Sequence, residues 1–356
     1  MPRFYEYELG KTADVICREL FELKPGETLV VTADTESDER VVDAIGRAAF
    51  ACGAKPIMVW TASPLGVGKA ADAMLPVESL TALLKTADAW AECNNKWLLY
   101  STAYDRAMEE NERLRHLCLV GVDPDLLVRF IGRIDYEVLG EFETRLADVT
   151  FAADHVRLTT PAGEDVEFDN CHESWAQAWP DLGRASQPGS FFPPGQISWV
   201  IDLESVNGTI VFDGSLNAPF ARILREPVVL TVERGEITKV EGGAEAQEFD
   251  AWTRSFNHPQ MRRLAHVCYG FNPGARLSGN TVEDERVWGS TQWGIGHVTP
   301  DLWPGGISGP SHCDGVCLNT SVWLDGVQSV DKGQVLDPHL RELARKLGKA
   351  RQSQID

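Results

Sequence analysis

Apolar residues in the first 150 positions of the chain recur with two alternating spacings. Between residues 10 and 24 they fall about 3.6 positions apart, as in an amphipathic helix, and Thr28–Thr32 is a short apolar run typical of a buried strand. Ser37 or Asp38 can cap a second helix, and Pro56–Trp60 is the next strand. This order of strand, helix and strand predicts a parallel sheet with right-handed crossovers.

The alternation continues less regularly, with helices predicted over 77–86, 102–114 and 124–147. Residues 1–150 are therefore predicted to form a doubly wound α/β domain. Its first strand-to-helix turn, residues 33–38, contains three acidic residues and no glycine-rich phosphate loop. We expect this domain to be a scaffold rather than a nucleotide-binding domain.

After residue 150 the spacing changes to the period of two that strands show. Residues 155–160 and 165–168 form a predicted hairpin, and several short strands follow a loop-like stretch at 170–195. The main helical exception is predicted near residues 249–264. Residues 151–356 are therefore predicted to be a mainly antiparallel α+β domain.

The chain is strongly acidic, with a net charge of −20, which would repel nucleic acid. No run approaches the roughly 20 apolar residues that cross a bilayer, and the N-terminus lacks the apolar core of a signal peptide. We therefore expect a cytoplasmic protein without nucleic-acid or membrane partners. The eight cysteines form no CxxC pair and are expected to be free thiols.

Residues 308–316 are predicted to be a small turn, rich in glycine and proline, that leads into an apolar strand at Val316–Leu324. His312 and Asp314 lie at the junction of this turn and the strand. Side chains two positions apart on a strand share a face, so this imidazole and carboxylate can bind one metal ion. Ordinary turn chemistry also explains the pair. His266 lies in an apolar strand, where a histidine can be either a ligand or a core residue.

Four segments of the C-terminal half resemble the aminopeptidase T family of metallopeptidases. They are Pro194–Ile197, Val206–Ser215, Tyr269–Ala275 and Ser311–Asp314. The family holds two metal ions, but this chain has Gln196 and His266 at two of its glutamate positions and Gln292 at a histidine position. Neutral amides are poor ligands for such a centre, so we expect one metal ion.

This altered pattern is similar to the 2,5-dihydroxypyridine 5,6-dioxygenase branch of the same superfamily. The resemblance implies that His266, His312 and Asp314 hold Fe(II) and that the enzyme opens a hydroxylated N-heteroaromatic ring with O2 in an extradiol-type reaction. It also implies a homo-oligomer, a dimer or higher. Further side chains are expected to support the ligands or contact the substrate: Gln292, Gln196, Ser311 and Tyr269.

Two other classes of function remain open. A mononuclear zinc or manganese hydrolase would act on amide bonds and need a general base, for which Glu283 and Glu285 are the nearest candidates in sequence. A non-catalytic binding or scaffold protein would retain the HxD pair without using it. Metal content separates that protein from the enzymes, and air sensitivity separates Fe(II) from zinc.

Overall fold

The computed structural model describes residues 5–298, 303 and 306–349. The chain forms two compact units: unit 1 comprises residues 1–134 and 181–194, and unit 2 comprises residues 135–180 and 195–356. The expected boundary at residue 150 lies near the end of a helix, Tyr136–Phe151, that belongs wholly to unit 2. The two units are therefore divided earlier in the chain than the change of spacing indicates.

The helices and strands are numbered here in chain order. The helices are α1 Tyr5–Val15, α2 Glu39–Ala51, α3 Val77–Leu84, α4 Thr102–Glu110, α5 Pro124–Leu127, α6 Tyr136–Phe151, α7 Ala244–Ser255, α8 Thr281–Asp284 and α9 Pro338–Lys346. The strands are β1 Thr28–Asp34, β2 Lys55–Thr61, β3 Ala89–Glu92, β4 Arg115–Cys118, β5 His155–Thr159, β6 Asp165–Asp169, β7 Ala178–Asp181, β8 Gly189–Phe191, β9 Gln196–Trp199, β10 Asn207–Phe212, β11 Ser215–Leu216, β12 Arg222–Ile223, β13 Val228–Glu233, β14 Glu236–Gly242, β15 Leu264–Gly270, β16 Ser290–Val298, β17 Ile307–Cys317, β18 Ser321–Leu324, β19 Val327–Asp331 and β20 Gln334–Val335.

Unit 1 is built on a parallel sheet in which the described strands follow the order β2-β1-β3-β4-β8. Strand β1 is buried along almost its whole length, as its apolar run predicts. The side chain of Asp38 accepts a hydrogen bond from the backbone N–H of Arg40 and so caps α2. Strand β8 comes from the stretch predicted to be a loop, because three residues of it pair with β4.

The prediction of one continuous helix over 124–147 is wrong, because two helices occupy this range. Helix α5 continues as a π-helical turn that ends at Gly132, and α6 begins only after Asp135, whose side chain accepts a hydrogen bond from Val138 N–H. A glycine followed by a capping aspartate ends one helix and starts another. The passage from unit 1 to unit 2 falls in this break.

Unit 2 contains two sheets, whose described strands follow the orders β14-β13-β10-β6-β5-β18-β19-β20 and β12-β11-β17-β16-β15-β9-β7. Its hydrophobic core contains residues from both sheets, and Phe168 of the first meets Trp293 of the second with ring centroids 5.5 Å apart. The core therefore lies between the sheets, as in a sandwich. The predicted fold class, a parallel α/β domain followed by a mainly antiparallel one, is confirmed.

Strands β15, β16 and β17 are adjacent and antiparallel, and their side chains alternate between two faces of the second sheet. Val267, Trp293 and Cys313 point into the core of unit 2. Residues at the alternate positions, His266, Gly294 and Asp314, occupy the opposite face. This face carries the candidate site.

Within the part of the chain that the structure describes, none of the helices combines the length and the apolar character needed to cross a bilayer.

Candidate metal centre

The register of three strands brings His266 and Asp314 together. His266 on β15 lies opposite Gly294 on β16, and Gly294 lies opposite Asp314 on β17, so the three residues form one row across the sheet. His312 is two positions before Asp314 on the same face, opposite Gly296. The pairing of the strands therefore brings His266, which is distant in sequence, to the same point as the neighbouring pair His312 and Asp314.

The three potential ligand atoms are nearly equidistant. His266 Nε2 lies 3.2 Å from His312 Nε2 and 3.2 Å from Asp314 Oδ1, and His312 Nε2 lies 3.1 Å from Asp314 Oδ1. Ligands held at right angles around one ion at about 2.2 Å would be separated by about 3.1 Å. The spacing therefore fits a single metal ion bound by all three side chains.

The hydrogen bonds behind the ligands determine which atoms face one another. His312 Nδ1 donates to the backbone carbonyl of His297 over 2.9 Å, so Nδ1 carries the proton and Nε2 of the neutral ring presents a lone pair. That lone pair faces a carboxylate oxygen and the Nε2 of a second imidazole. Converging electron pairs repel unless a proton or a metal ion lies between them, and two imidazole nitrogens and a carboxylate oxygen aimed at one point are a donor set that fits a metal ion.

Asp314 is held on both sides by Asn217. Asn217 Nδ2 donates to Asp314 Oδ2 over 2.8 Å, and Asp314 N–H donates to Asn217 Oδ1 over 2.8 Å. These two bonds leave Oδ1 directed at the histidines. Outer partners of this kind orient ligands and adjust their affinity for metal.

His266 is oriented by a thiol and by the absence of a neighbouring side chain. Its Nδ1 lies 3.4 Å from Cys268 Sγ, which lies 3.2 Å from Ser198 Oγ. A Cβ atom at Gly294 would lie 2.2 Å from His266 Nε2, so only glycine leaves room for the ring to cross the middle strand.

Burial and the neighbouring charges shift the pKa values of the side chains at the centre. Burial by itself would raise the pKa of Asp314, but His312 and His266 hold that pKa well below its usual range. Burial would lower the pKa of His266, but Cys268 and Asp314 raise it well above its ordinary value. Burial, together with the charge of Asp314, raises the pKa of Glu285 to about 8.

The four supporting residues expected from the sequence divide between the two faces of the sheet. Gln292 and Gln196 share the face of the ligands: Gln292 is one row from His266, and Gln196 pairs with Gly270 two rows away. Tyr269 points into the core, where its ring packs on Trp199 with centroids 4.4 Å apart.

Ser311 immediately precedes His312 on β17 and therefore projects to the opposite side of the strand. The structure does not bring Ser311 or Tyr269 to the ligands. In both cases the reason is the alternation of a strand, which separates residues an odd number of positions apart.

Asn217, Cys268 and Gly294 support the ligands but were not among the expected residues. Asn217 is 97 residues from Asp314 in sequence, and no local pattern connects the two. A signal existed for Gly294, because Gly294 and Gly296 alternate within an apolar strand, and glycine in a strand often marks a close approach of another group.

Comparison with known proteins gives a family and a fold. The family described as 2,5-dihydroxypyridine 5,6-dioxygenase matches residues 16–337. A curated 2,5-dihydroxypyridine 5,6-dioxygenase of Pseudomonas putida (strain KT2440) is 29% identical over 171 residues, which are 44% of this chain and 48% of that protein. The chain thus aligns with about half the length of this curated relative.

Two solved structures share the fold. The 2,5-dihydroxypyridine dioxygenase of P. putida KT2440 superposes with a TM-score of 0.75 at 21% identity, covering 94% of this chain and 99% of that one. AmpT of Thermus thermophilus superposes with a TM-score of 0.67 at 14% identity, covering 93% of this chain and 100% of that one.

The fold and the site define a protein of the aminopeptidase T-like architecture with a possible His-His-Asp metal site in its second unit. Within that architecture, the chain belongs to the 2,5-dihydroxypyridine 5,6-dioxygenase family. The expected branch of the superfamily is confirmed.

Proposed function

We propose that this protein is a non-haem Fe(II) dioxygenase that opens a hydroxylated N-heteroaromatic ring of the 2,5-dihydroxypyridine type. The observation that carries the proposal is the convergence of His266 Nε2, His312 Nε2 and Asp314 Oδ1 within 3.2 Å of one another. Two imidazoles and one carboxylate on one side of an ion are the ligand set of many non-haem iron oxygenases. Membership of the dioxygenase family supports the same reaction.

Ferrous iron in this site would supply the redox centre at which an electron-rich ring and O2 react. Both atoms of O2 would enter the opened product, and the hydroxylated ring would supply the electrons, so no outside reductant is needed. The protein contributes the fixed positions of its side chains. Asn217 keeps Asp314 Oδ1 directed at the site, and His297 keeps the lone pair of His312 Nε2 directed there.

The exposure of the ligands indicates the side from which a ring can enter. The side chain of His312 is 24% exposed, whereas those of His266 and Asp314 are 12% and 10% exposed. A substrate would therefore approach past His312, and the more buried residues would contact the part of the ring that enters first. The partners of the reaction are this small aromatic substrate and O2.

The test of the proposed function is oxygen uptake after anaerobic loading with Fe(II). The protein would be offered 2,5-dihydroxypyridine, other hydroxylated pyridines and catechols. We expect one O2 consumed for each ring whose absorbance is lost. Absence of uptake with every compound, from protein that has retained its iron, would refute the proposal.

A second candidate, a mononuclear zinc or manganese hydrolase of amide bonds, is favoured by one observation. Glu285 lies close enough to Asp314 and His266 for their charges to affect its pKa, and a metal-assisted hydrolase needs such a carboxyl group for proton transfer. Aminoacyl anilides offered to zinc-loaded and manganese-loaded protein separate this activity from oxygen-dependent ring opening.

We also propose a homo-oligomer in the cytoplasm. Strand β2 lies at the edge of its sheet and exposes Met58 and Trp60, which are 47% and 46% exposed. Apolar side chains on an open sheet edge are characteristic of contact surfaces between proteins. Light scattering coupled to gel filtration should give more than one copy, and Trp60→Glu should lower the mass if this edge forms the contact.

A further inference from the structure

Beside the ligands lies a buried amide that has no partner within the described chain. Gln292 is fully buried on β16, and neither its side-chain oxygen nor its side-chain nitrogen makes a hydrogen bond. Buried polar groups in native proteins are nearly always paired, and each unpaired one destabilises the fold. An amide that is left unpaired next to a binding site is therefore positioned for a partner that comes from outside the chain.

The described residues in the same row of the sheet make no hydrogen bond to the Gln292 side chain. Its row across the sheet contains Ser198, Cys268 and Val316. The thiol of Cys268 is already engaged by Ser198 and by His266, and Val316 is apolar. The next residue of β16 on the same face is Gly294, which has no side chain to pair with Gln292.

The amide also lies on the correct face and at the correct depth. Gln292 and Gly294 are two positions apart on β16, so Gln292 projects on the side of the sheet that carries His266 and Asp314. One step of two residues along a strand covers about 6.6 Å, roughly the length of a single six-membered ring with its substituents. Gln292 is more buried than any of the three ligands, so it would meet the edge of a ring that has entered past them.

We propose that Gln292 recognises the lactam edge of the substrate by a reciprocal pair of hydrogen bonds. A 2-hydroxypyridine has a pyridone tautomer in which a ring N–H and a ring C=O are adjacent. The Oε1 of Gln292 would accept from the ring N–H, and its Nε2 would donate to the ring C=O. This inference rests on the proposed function and adds to it the residue that separates N-heterocyclic rings from carbocyclic ones.

The energetic reason for such selection is asymmetric. A ring with the lactam edge pairs both atoms of the amide, whereas hydroquinone, the carbocyclic counterpart of 2,5-dihydroxypyridine, lacks the N–H donor and leaves the amide oxygen buried and unpaired. Sites built to bond a polar substrate group reject analogues that lack it far more strongly than apolar pockets reject a missing methylene.

The test compares wild type with Gln292→Met, which keeps the length of the side chain and removes both polar atoms. Affinity for 2,5-dihydroxypyridine and for its N-methyl pyridone would be measured anaerobically by absorbance titration of the Fe(II)-loaded proteins. We expect Gln292→Met to weaken binding of the first compound on the order of 100-fold. N-methylation should weaken binding to wild type far more than binding to the variant, as a double-mutant cycle requires.

Two further measurements separate recognition from a structural role. The variant should retain its iron and melt at the same or a higher temperature than wild type, because it loses an unpaired buried amide. A lower melting temperature would mean that Gln292 supports the fold and would overturn the inference. Gln328→Met, the same change in the other sheet of unit 2, is the matched control and should leave the affinity unchanged.

The outcomes distinguish this inference from the proposed function. Oxygen uptake by wild type, together with equal affinity of Gln292→Met for the ring, would leave the dioxygenase standing and overturn the role of Gln292. Affinity that depends on Gln292 without any oxygen uptake would leave recognition standing and refute the oxidation. A wild type that neither binds nor consumes the ring would overturn both.

Discussion

We expect metal binding to depend most directly on the three converging side chains. We expect His266→Ala to abolish iron binding and turnover while the fold is retained, because two ligand atoms cannot hold the ion as three do. Iron content after gel filtration and the circular dichroism spectrum measure the two effects. His339→Ala removes a surface histidine of the same unit and serves as the control. A fully active, iron-loaded His266→Ala variant would show that the site has been assigned to the wrong residues.

Asn217 tests whether the outer hydrogen bonds matter. Asn217→Ala removes the donor to Asp314 Oδ2 and the acceptor for Asp314 N–H. We expect a loss of metal affinity between about 10-fold and 100-fold, the usual effect of removing such a partner. Competition with a coloured chelator gives the dissociation constant, and an unchanged value would mean that Asp314 is positioned by its strand alone.

The sequence was most informative about side chains on one strand. His312 and Asp314 could be paired from their spacing, because i and i+2 on a strand always share a face. The same rule applied to Ser311 and Tyr269 would have excluded them, since each is an odd number of positions from a ligand on its strand. Asn217 could not be found in this way, because its pairing with Asp314 depends on how two distant strands meet.

The middle strand of the site, β16, must have no side chain at the position over which the His266 ring lies. We expect Gly294→Ala to prevent metal binding, because its Cβ atom would lie 2.2 Å from His266 Nε2 and displace the ring. Gly10→Ala in α1 is the matched control, because among the described residues no atom outside the adjoining backbone of the helix lies within 4 Å of the added Cβ. Metal titration of both variants checks the expectation, and tight binding by Gly294→Ala would mean that the ring can move aside without loss.

The hairpin between β5 and β6 is joined to the strand behind the site by a buried acid. Glu164 Oε1 accepts a hydrogen bond from Trp293 Nε1 over 3.0 Å. Burial raises the pKa of Glu164 from its ordinary value of 4.5 to about 8, although the hydrogen bond from Trp293 opposes the shift. Glu164 is therefore protonated in the folded protein at pH values where it is ionised in the unfolded chain.

The sign of the pH effect follows from this difference in bound protons. Because the folded state holds the extra proton, the contribution of Glu164 is fully present below its unfolded pKa and is lost as the pH rises towards about 8. Wild type should lose stability relative to Glu164→Gln by up to about 1.4 kcal/mol per pH unit within this window. Denaturant unfolding of both proteins at pH 5 and pH 8 measures the difference, and parallel pH profiles would show that Glu164 is ionised in the fold.

The elements themselves were largely predictable where the apolar spacing was regular. Strand β1 and helix α2 appear where the pattern and the capping Asp38 place them. Strand β8 was not predicted. Only three of its residues pair with β4, and such a short pairing has no periodicity in the sequence to detect.

The candidate metal site lies entirely within one of the two compact units. A cation that binds only the folded state stabilises what it binds, in proportion to the logarithm of its concentration over its dissociation constant. We therefore expect Fe(II) or Zn(II) to slow hydrogen exchange in β15, β16 and β17 and to leave the parallel sheet of unit 1 unchanged. Mass spectrometry of peptides from both units tests this, and equal protection of β1 would contradict it.

The whole-molecule organisation shows what a single sequence does not reveal. The chain leaves unit 1 at residue 134, returns for residues 181–194 and then leaves again. The spacing of apolar residues changes once, near residue 150, and gives no indication that a later segment adds a strand to the first sheet. Such a return is decided by the competition among possible strand partners, which depends on the assembled sheet rather than on local propensity.

The pairing of β16 with β17 also bears on how faithfully the protein folds. If the two strands paired one residue out of step, every side chain of β17 would change face. His312 and Asp314 would then point into the hydrophobic core between the sheets, and Cys313 would point to the face that now carries the site. Such a misfolded chain could retain most of its backbone hydrogen bonds and yet fail to capture the ion. If the site binds a metal ion as proposed, that ion would stabilise only the correctly paired molecules and would favour them over the mispaired ones.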